Sequence, residues 1–113
     1  SLCDSIGIKL PTQYRSSALN IKGSGSERVK NLVQKVGGDA YLTGHGALKY
    51  LNHCNFESSK IAVHYMRYEN YFWQQFGDEF TPFVTALDLI ANVAEKHRFK
   101  HLVQQADYWR RLL

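Results

Sequence analysis

The stretch Asp39-Ala-Tyr-Leu-Thr-Gly-His-Gly-Ala-Leu-Lys-Tyr-Leu51 decides the fold class. A short apolar run breaks at Gly44 and Gly46 and restarts with helical spacing, which reads as strand, glycine turn, helix. In α/β proteins such a junction sets backbone N–H groups and the positive end of a helix beside the carboxyl edge of a sheet, where anionic ligands bind. The alternative is a tight turn that takes glycine only for its dihedral angles.

Upstream of this junction, Ser24-Gly-Ser-Glu27 matches a capping box. Val29, Leu32, Val33 and Val36 then repeat at helical spacing until Gly37-Gly38 ends the helix. Before it lie a Gly/Ser-rich loop, Asn20 to Gly25, and a short strand expected over Gln13 to Ser17 after Pro11. Ser1 to Ile8 reads as the end of a helix closed by Gly7, and a start inside an element suggests the latter part of a longer protein.

Downstream, Ala47 to Asn52 is a short helix and Ile61-Ala-Val-His-Tyr-Met66 a β-branched and aromatic strand. An aromatic loop follows over Tyr68 to Phe80, of a length that is often functional. Thr81-Pro82 supplies an N-cap with proline at N1, ahead of a stripe of Phe83, Leu87, Ile90 and Ala94. Phe99, Leu102, Val103, Ala106 and Leu113 make a last stripe. The expected fold is therefore α/β, a small, mostly parallel sheet of about three strands flanked by helices with a C-terminal helical pair, in one domain over residues 1–113.

With 113 residues, one core is the limit, and seven Tyr, six Phe and two Trp give it ample apolar surface. Cys3 and Cys54 have no paired spacing, so both are read as reduced, with Cys54 buried. No apolar run approaches the roughly 20 residues that span a bilayer, so no membrane partner is expected. The net charge of +4 is scattered rather than gathered between stacking groups, which argues against a nucleic-acid partner. An unpaired sheet edge makes a homodimer plausible.

Among chemistry-bearing residues, His97 and His101 share a helical spacing but have no third ligand and stand among Lys96, Arg98 and Lys100. No metal is expected there, and no cofactor is implied. His53 and Cys54 are chain neighbours whose side chains would not face each other, which argues against a nucleophile and base. Asp88, between apolar helix positions, reads as a partner for a cap or an arginine. His45 stands on the glycine turn itself and is the candidate for proton transfer, against the alternative of an exposed loop histidine. Arg28 has no structural duty legible in the sequence and is a candidate cation for an anion held by Ser24, Ser26, Gly44 and Gly46. Tyr71, Trp73 and Gln74 could stack on and hydrogen-bond a base or sugar, while Phe72, Phe76 and Phe80 could simply close a core.

Arg15-Ser-Ser-Ala-Leu-Asn20, Gly23-Ser-Gly-Ser-Glu-Arg28, Gly38-Asp-Ala-Tyr-Leu-Thr-Gly44 with Tyr50-Leu51, and Phe80-Thr-Pro-Phe-Val-Thr-Ala-Leu-Asp-Leu89 occur in an order that resembles the C-terminal half of the WbqC-like family. The likeness runs from Ser16 to Asn92, and His45 falls where the family pattern fixes no histidine. The resemblance implies a cytoplasmic bacterial protein of surface-polysaccharide (O-antigen) assembly. It further implies a transferase that places an acyl or aminoacyl group on a nucleotide-linked amino sugar. On that reading Ser24, Ser26, Arg28, Gly44, Gly46 and Tyr50 attend the nucleotide sugar, Tyr71, Trp73 and Gln74 its ring, and His45 the amine proton. A non-catalytic α/β module that binds an anionic small molecule or completes another subunit is the alternative.

Overall fold

A computed structural model describes residues 1–113. Three strands, β1 (Ala40–Thr43), β2 (Ala62–Arg67) and β3 (Gln105–Tyr108), form one sheet in the order β1-β2-β3. The β1–β2 pair is parallel, with Ala40 opposite Ala62 and Thr43 opposite Tyr65; the β2–β3 pair is antiparallel, with His64 opposite Tyr108. The architecture is thus mixed α/β with C-terminal helices, as expected, but the sheet is mixed in direction and its third strand comes from the chain's end.

The segment Gln13 to Ser17 is not a strand: Ser16–Leu19 form a 3-10 helix that ends on Asn20 in the left-handed region. The last apolar stripe is not one helix, because Gln105–Tyr108 pairs with β2 instead. A helical period in five apolar residues is a weak signal, and the free hydrogen-bonding edge of β2 outweighs it.

The chain forms two compact units, Ser1–Gln13 with Tyr68–Gln104, and Tyr14–Arg67 with Gln105–Leu113. The second holds the sheet. Its core is Val33 of α2 (Gly25–Lys35), Ala47, Leu51, Phe56 of α3 (His53–Ser58), Ile61, Val63, Tyr65 and Trp109. The α2 helix follows the apolar spacing read in the sequence, yet Ser24 makes no side-chain cap bond, so the capping box does not form. Ser26 is drawn elsewhere, accepting from the Asn52 amide at 2.9 Å. The helix expected over Ala47 to Asn52 is a 3-10 helix, His45–Lys49, followed by α3, whose Asn52 cap accepts from the Asn55 amide at 3.1 Å. Cys54, on α3, is exposed rather than buried, because the inward positions of that helix go to His53 and Phe56.

The first unit joins α1 (Leu2–Ile6), the aromatic loop, α4 (Ala86–Asn92) and α5 (Glu95–Arg98), which continues as a 3-10 helix through His101. Gly7 closes α1 in the left-handed region at φ 85°, as a glycine after an apolar stripe should. The start of α4 differs from expectation: its N-cap is Thr85, whose hydroxyl accepts from the Leu87 amide at 3.2 Å, while Thr81 makes a local turn by accepting from the Phe83 amide. Arg98 fastens the unit by donating to the carbonyls of Ser5, Ile90 and Val93 at 2.7, 3.0 and 2.8 Å. Leu89 and Ile6 are buried. No helix is long and apolar enough to cross a membrane.

Candidate functional site

Parallel pairing of β1 and β2 brings their carboxyl ends together, and the chain leaves β1 through Gly44 into His45. His45 Nε2 lies 2.9 Å from the carbonyl oxygen of Met66, and its ring meets Tyr65 edge-on at 6.1 Å. A carbonyl oxygen only accepts, so this bond places a proton on Nε2, and in the neutral ring the lone pair is then on Nδ1. A side chain exposed to solvent is thereby held in one tautomer at the edge where α/β sheets bind ligands.

The turn is built differently from either sequence reading. Gly44 is extended at φ −85° and ψ 166°, and Gly46 is outside the left-handed region with open space where a Cβ would stand, so neither glycine is demanded by its dihedral angles. The helix that Gly44 caps, and that contains Gly46, is a five-residue 3-10 helix rather than an α-helix. Its aligned dipoles are too few to supply much of the positive field expected at that end.

Arg28 does have a structural duty: its Nη1 donates to the carbonyl of Ile21 and ties the Gly/Ser loop to α2. Gly23, at φ 99°, lets the loop pass close to the Arg28 backbone. Ser26 is occupied by the Asn52 amide, Ser24 is exposed at the head of α2, and Tyr50 is exposed beside buried Leu51. His45, Ser24, Ser26, Arg28, Gly44, Gly46 and Tyr50 all belong to the second unit, while Tyr71, Trp73 and Gln74 belong to the first.

In that first unit the aromatic loop is an ordered wall. Tyr71 Oη donates to the Val103 carbonyl at 2.6 Å, and Trp73 Nε1 donates to Asp88 Oδ2 at 2.9 Å. The same Asp88 oxygen accepts from Gln75 Nε2 at 2.9 Å, so this carboxylate anchors a tryptophan and an amide rather than an arginine. Gln104 clamps the loop from the other end, accepting from the Glu69 amide and donating to its carbonyl. Tyr71 and Trp73 line a cleft of about 160 Å³, and Gln74 faces a neighbouring one of about 220 Å³ beside Phe72 and Phe80. His101 turns edge-on to Trp73 at 5.9 Å; because α5 gives way to a 3-10 turn at Phe99, His97 and His101 do not share one α-helical face.

A polar cluster in the second unit escaped the sequence reading. Glu57, on α3, accepts from Tyr108 Oη, from Trp109 Nε1 at 3.1 Å and from Arg110 Nε and Nη2 at 3.1 and 2.6 Å. Hydrogen bonds from Arg110 and Tyr108 hold its carboxyl down at about 2, against an ordinary value of 4.5. Arg110 also covers the Trp109 ring at 4.5 Å. Behind it, buried His53 stacks on Trp109 at 4.7 Å and shares a 2.7 Å hydrogen bond with Tyr65; burial lowers the His53 pKa, which favours neutral imidazole. The only trace in the sequence is the adjacency Tyr108-Trp109-Arg110, which does not name its carboxylate partner.

Fold and sites together define a small α/β protein with a tautomer-fixed histidine at the carboxyl edge of a parallel strand pair and a separate cleft walled by aromatic side chains. The chain belongs to the WbqC-like protein family, whose model matches residues 1–99. Neither the curated proteins nor the solved structures give a match.

Proposed function

We propose that the chain is an acyl or aminoacyl transferase acting on the amine of a nucleotide-linked amino sugar in bacterial surface-polysaccharide assembly. Family membership supports the reading, and one observation carries it: His45 Nε2–H donates a hydrogen bond to the Met66 carbonyl, which leaves Nδ1 of the neutral ring to accept a proton. When an amine attacks an acyl carbon, a C–N bond forms, the amine loses a proton, and the bond to the leaving group breaks as that group takes a proton up. His45 Nδ1 takes the first proton and returns it to the leaving group. In the same unit as His45, the amides at Gly44 and Gly46 and the exposed Ser24 and Tyr50 attend the anionic nucleotide.

The test is acyl transfer from activated acyl and aminoacyl donors to nucleoside-diphosphate amino sugars, read by mass spectrometry. His45→Ala should lower the rate by about 10²–10⁴-fold, the usual worth of a general base. The variant should still melt cooperatively, losing no more than the ~1 kcal/mol of one net hydrogen bond, since the side chain is exposed. Absence of both product and thermal stabilisation by any such nucleotide rejects the reading. A second reading, a non-catalytic binding module, is favoured by Arg28, whose guanidinium is engaged by the Ile21 carbonyl. Stabilisation without product would select it.

A further inference from the structure

The two edges of the sheet are finished differently. Along β1 the Asp39 carbonyl accepts from the Ala62 amide at 2.9 Å and Ala40 stands opposite Ala62, so in this parallel ladder Asp39, Tyr41 and Thr43 direct their backbone groups at β2. The N–H and C=O of Ala40 and Leu42 therefore point away from the sheet, and no other segment bonds them. Such a row is normally blunted by a charge, a proline or a bulge. The opposite edge has that protection: Asp107 stands within β3, paired with Arg67 at 3.7 Å, and the chain turns into a 3-10 helix at Trp109. Ala40-Tyr41-Leu42-Thr43 has none of these devices, and Leu42 is 56% exposed.

This strand is complementary to itself. With a second copy set antiparallel and Tyr41 on the two-fold axis, Ala40 falls opposite the partner subunit's Leu42, and Leu42 opposite the partner subunit's Ala40. Both are hydrogen-bonded positions, so every outward N–H and C=O finds a mate. On the exposed face the large Leu42 then lies beside a small alanine. On the other face Tyr41, half-buried at 5.9 Å from Phe56, meets the partner subunit's Tyr41 at a non-hydrogen-bonded position, where side chains come closest. Centring the pair on Ala40 or on Leu42 instead would oppose an outward residue to Gly38 or to Gly44. The Gly38 amide already donates to the Val33 carbonyl, and the Gly44 carbonyl already accepts from the Ala47 amide. An unrelated extended peptide matches the backbone row but has no such fit of side chains.

We infer that β1 is a homodimer edge, at which two copies of this chain pair their β1 strands antiparallel about Tyr41 into one continuous sheet. The register sets the partner subunit's Asp39 across from Thr43, two positions before His45, so the contact lies at the end of the sheet that carries the candidate site. A contact of one short strand is small, which makes the dimer weak and dependent on concentration.

Sedimentation velocity of the full chain should give 13.0 kDa at micromolar concentration and rise toward twice that mass at millimolar. Over the same range, amide exchange should slow at Ala40 and Leu42 and stay unchanged at Ala106 and Tyr108, which face outward on the other edge. Leu42→Lys, at an exposed position, should stay folded by circular dichroism and keep the monomer mass throughout, whereas Ala106→Lys, also exposed, should associate like the wild type. A mass that stays at 13.0 kDa overturns the inference. So does association that survives Leu42→Lys, that Ala106→Lys abolishes, or that protects the β3 amides in place of Ala40 and Leu42.

Discussion

Two side chains show how a single hydrogen bond assigns chemistry. His45 would be an ordinary exposed imidazole without the Met66 carbonyl, which fixes the proton on one nitrogen and so defines the basic one. Glu57 shows the converse, a carboxylate saturated by Tyr108, Trp109 and Arg110 and so removed from acid–base work near neutrality. Its carboxyl lies at about 2 in the folded chain against 4.5 as a free group, so the unfolded chain binds the proton first as pH falls. The stability it contributes is complete above 4.5 and is lost progressively as pH drops from there toward 2. Urea midpoints measured across that window should fall steeply in the wild type. In Glu57→Gln they should start lower at neutral pH and fall less.

At the scale of elements, the connections carry more constraint than the regular segments. Between α2 and β1, a Cβ on Gly38 would stand 2.9 Å from Val33 Cγ1 and 3.3 Å from the Val33 carbonyl oxygen. Val33 belongs to the core and is stiff at χ1, so the clash cannot be relieved by a side-chain swing. Gly38→Ala should cost about 1–3 kcal/mol in chemical denaturation, the range for overpacking. The turn after α3 errs the other way: Lys60 sits at φ 58°, a left-handed position better suited to glycine. Lys60→Gly should raise stability by about 1 kcal/mol, seen as a higher melting temperature. Both positions explain why element boundaries were only partly legible. Gly37-Gly38 announced a stop, but nothing local in Ser59-Lys60 marks a left-handed residue. The α2 helix was legible because its apolar spacing suffices to bury Val33, whereas its capping box failed because Ser26 found a partner in Asn52, a residue from another element.

At the scale of the molecule, the chain crosses between its units more than once, and the sheet unit is completed only by Gln105–Leu113. The family model ends at residue 99, before this last segment. Yet Trp109 is part of the core, β3 pairs with β2, and Arg110 seals Glu57. Ending the chain after Gln104 should therefore unfold the second unit, seen by hydrogen exchange as loss of protected amides in β2, rather than merely fraying an end. Protection of β2 unchanged by that truncation would show that β3 is dispensable.

What the amino-acid order determined by itself was local: the two parallel strands, the α2 helix, the left-handed close at Gly7, and the irregular aromatic loop all follow from patterns within a dozen neighbouring residues. The likeness to the WbqC-like family was legible for the same reason, in short motifs kept in order. Tertiary structure alone decided the third strand, the Glu57 cluster, the engagement of Arg28 by Ile21 and the tautomer of His45. Each depends on a hydrogen-bond partner supplied by another segment, from seven positions away for Arg28 to more than fifty for Glu57. Spacing along a chain carries no record of such a partner, because a polar atom desolvated by folding takes whichever donor or acceptor the packed core presents to it.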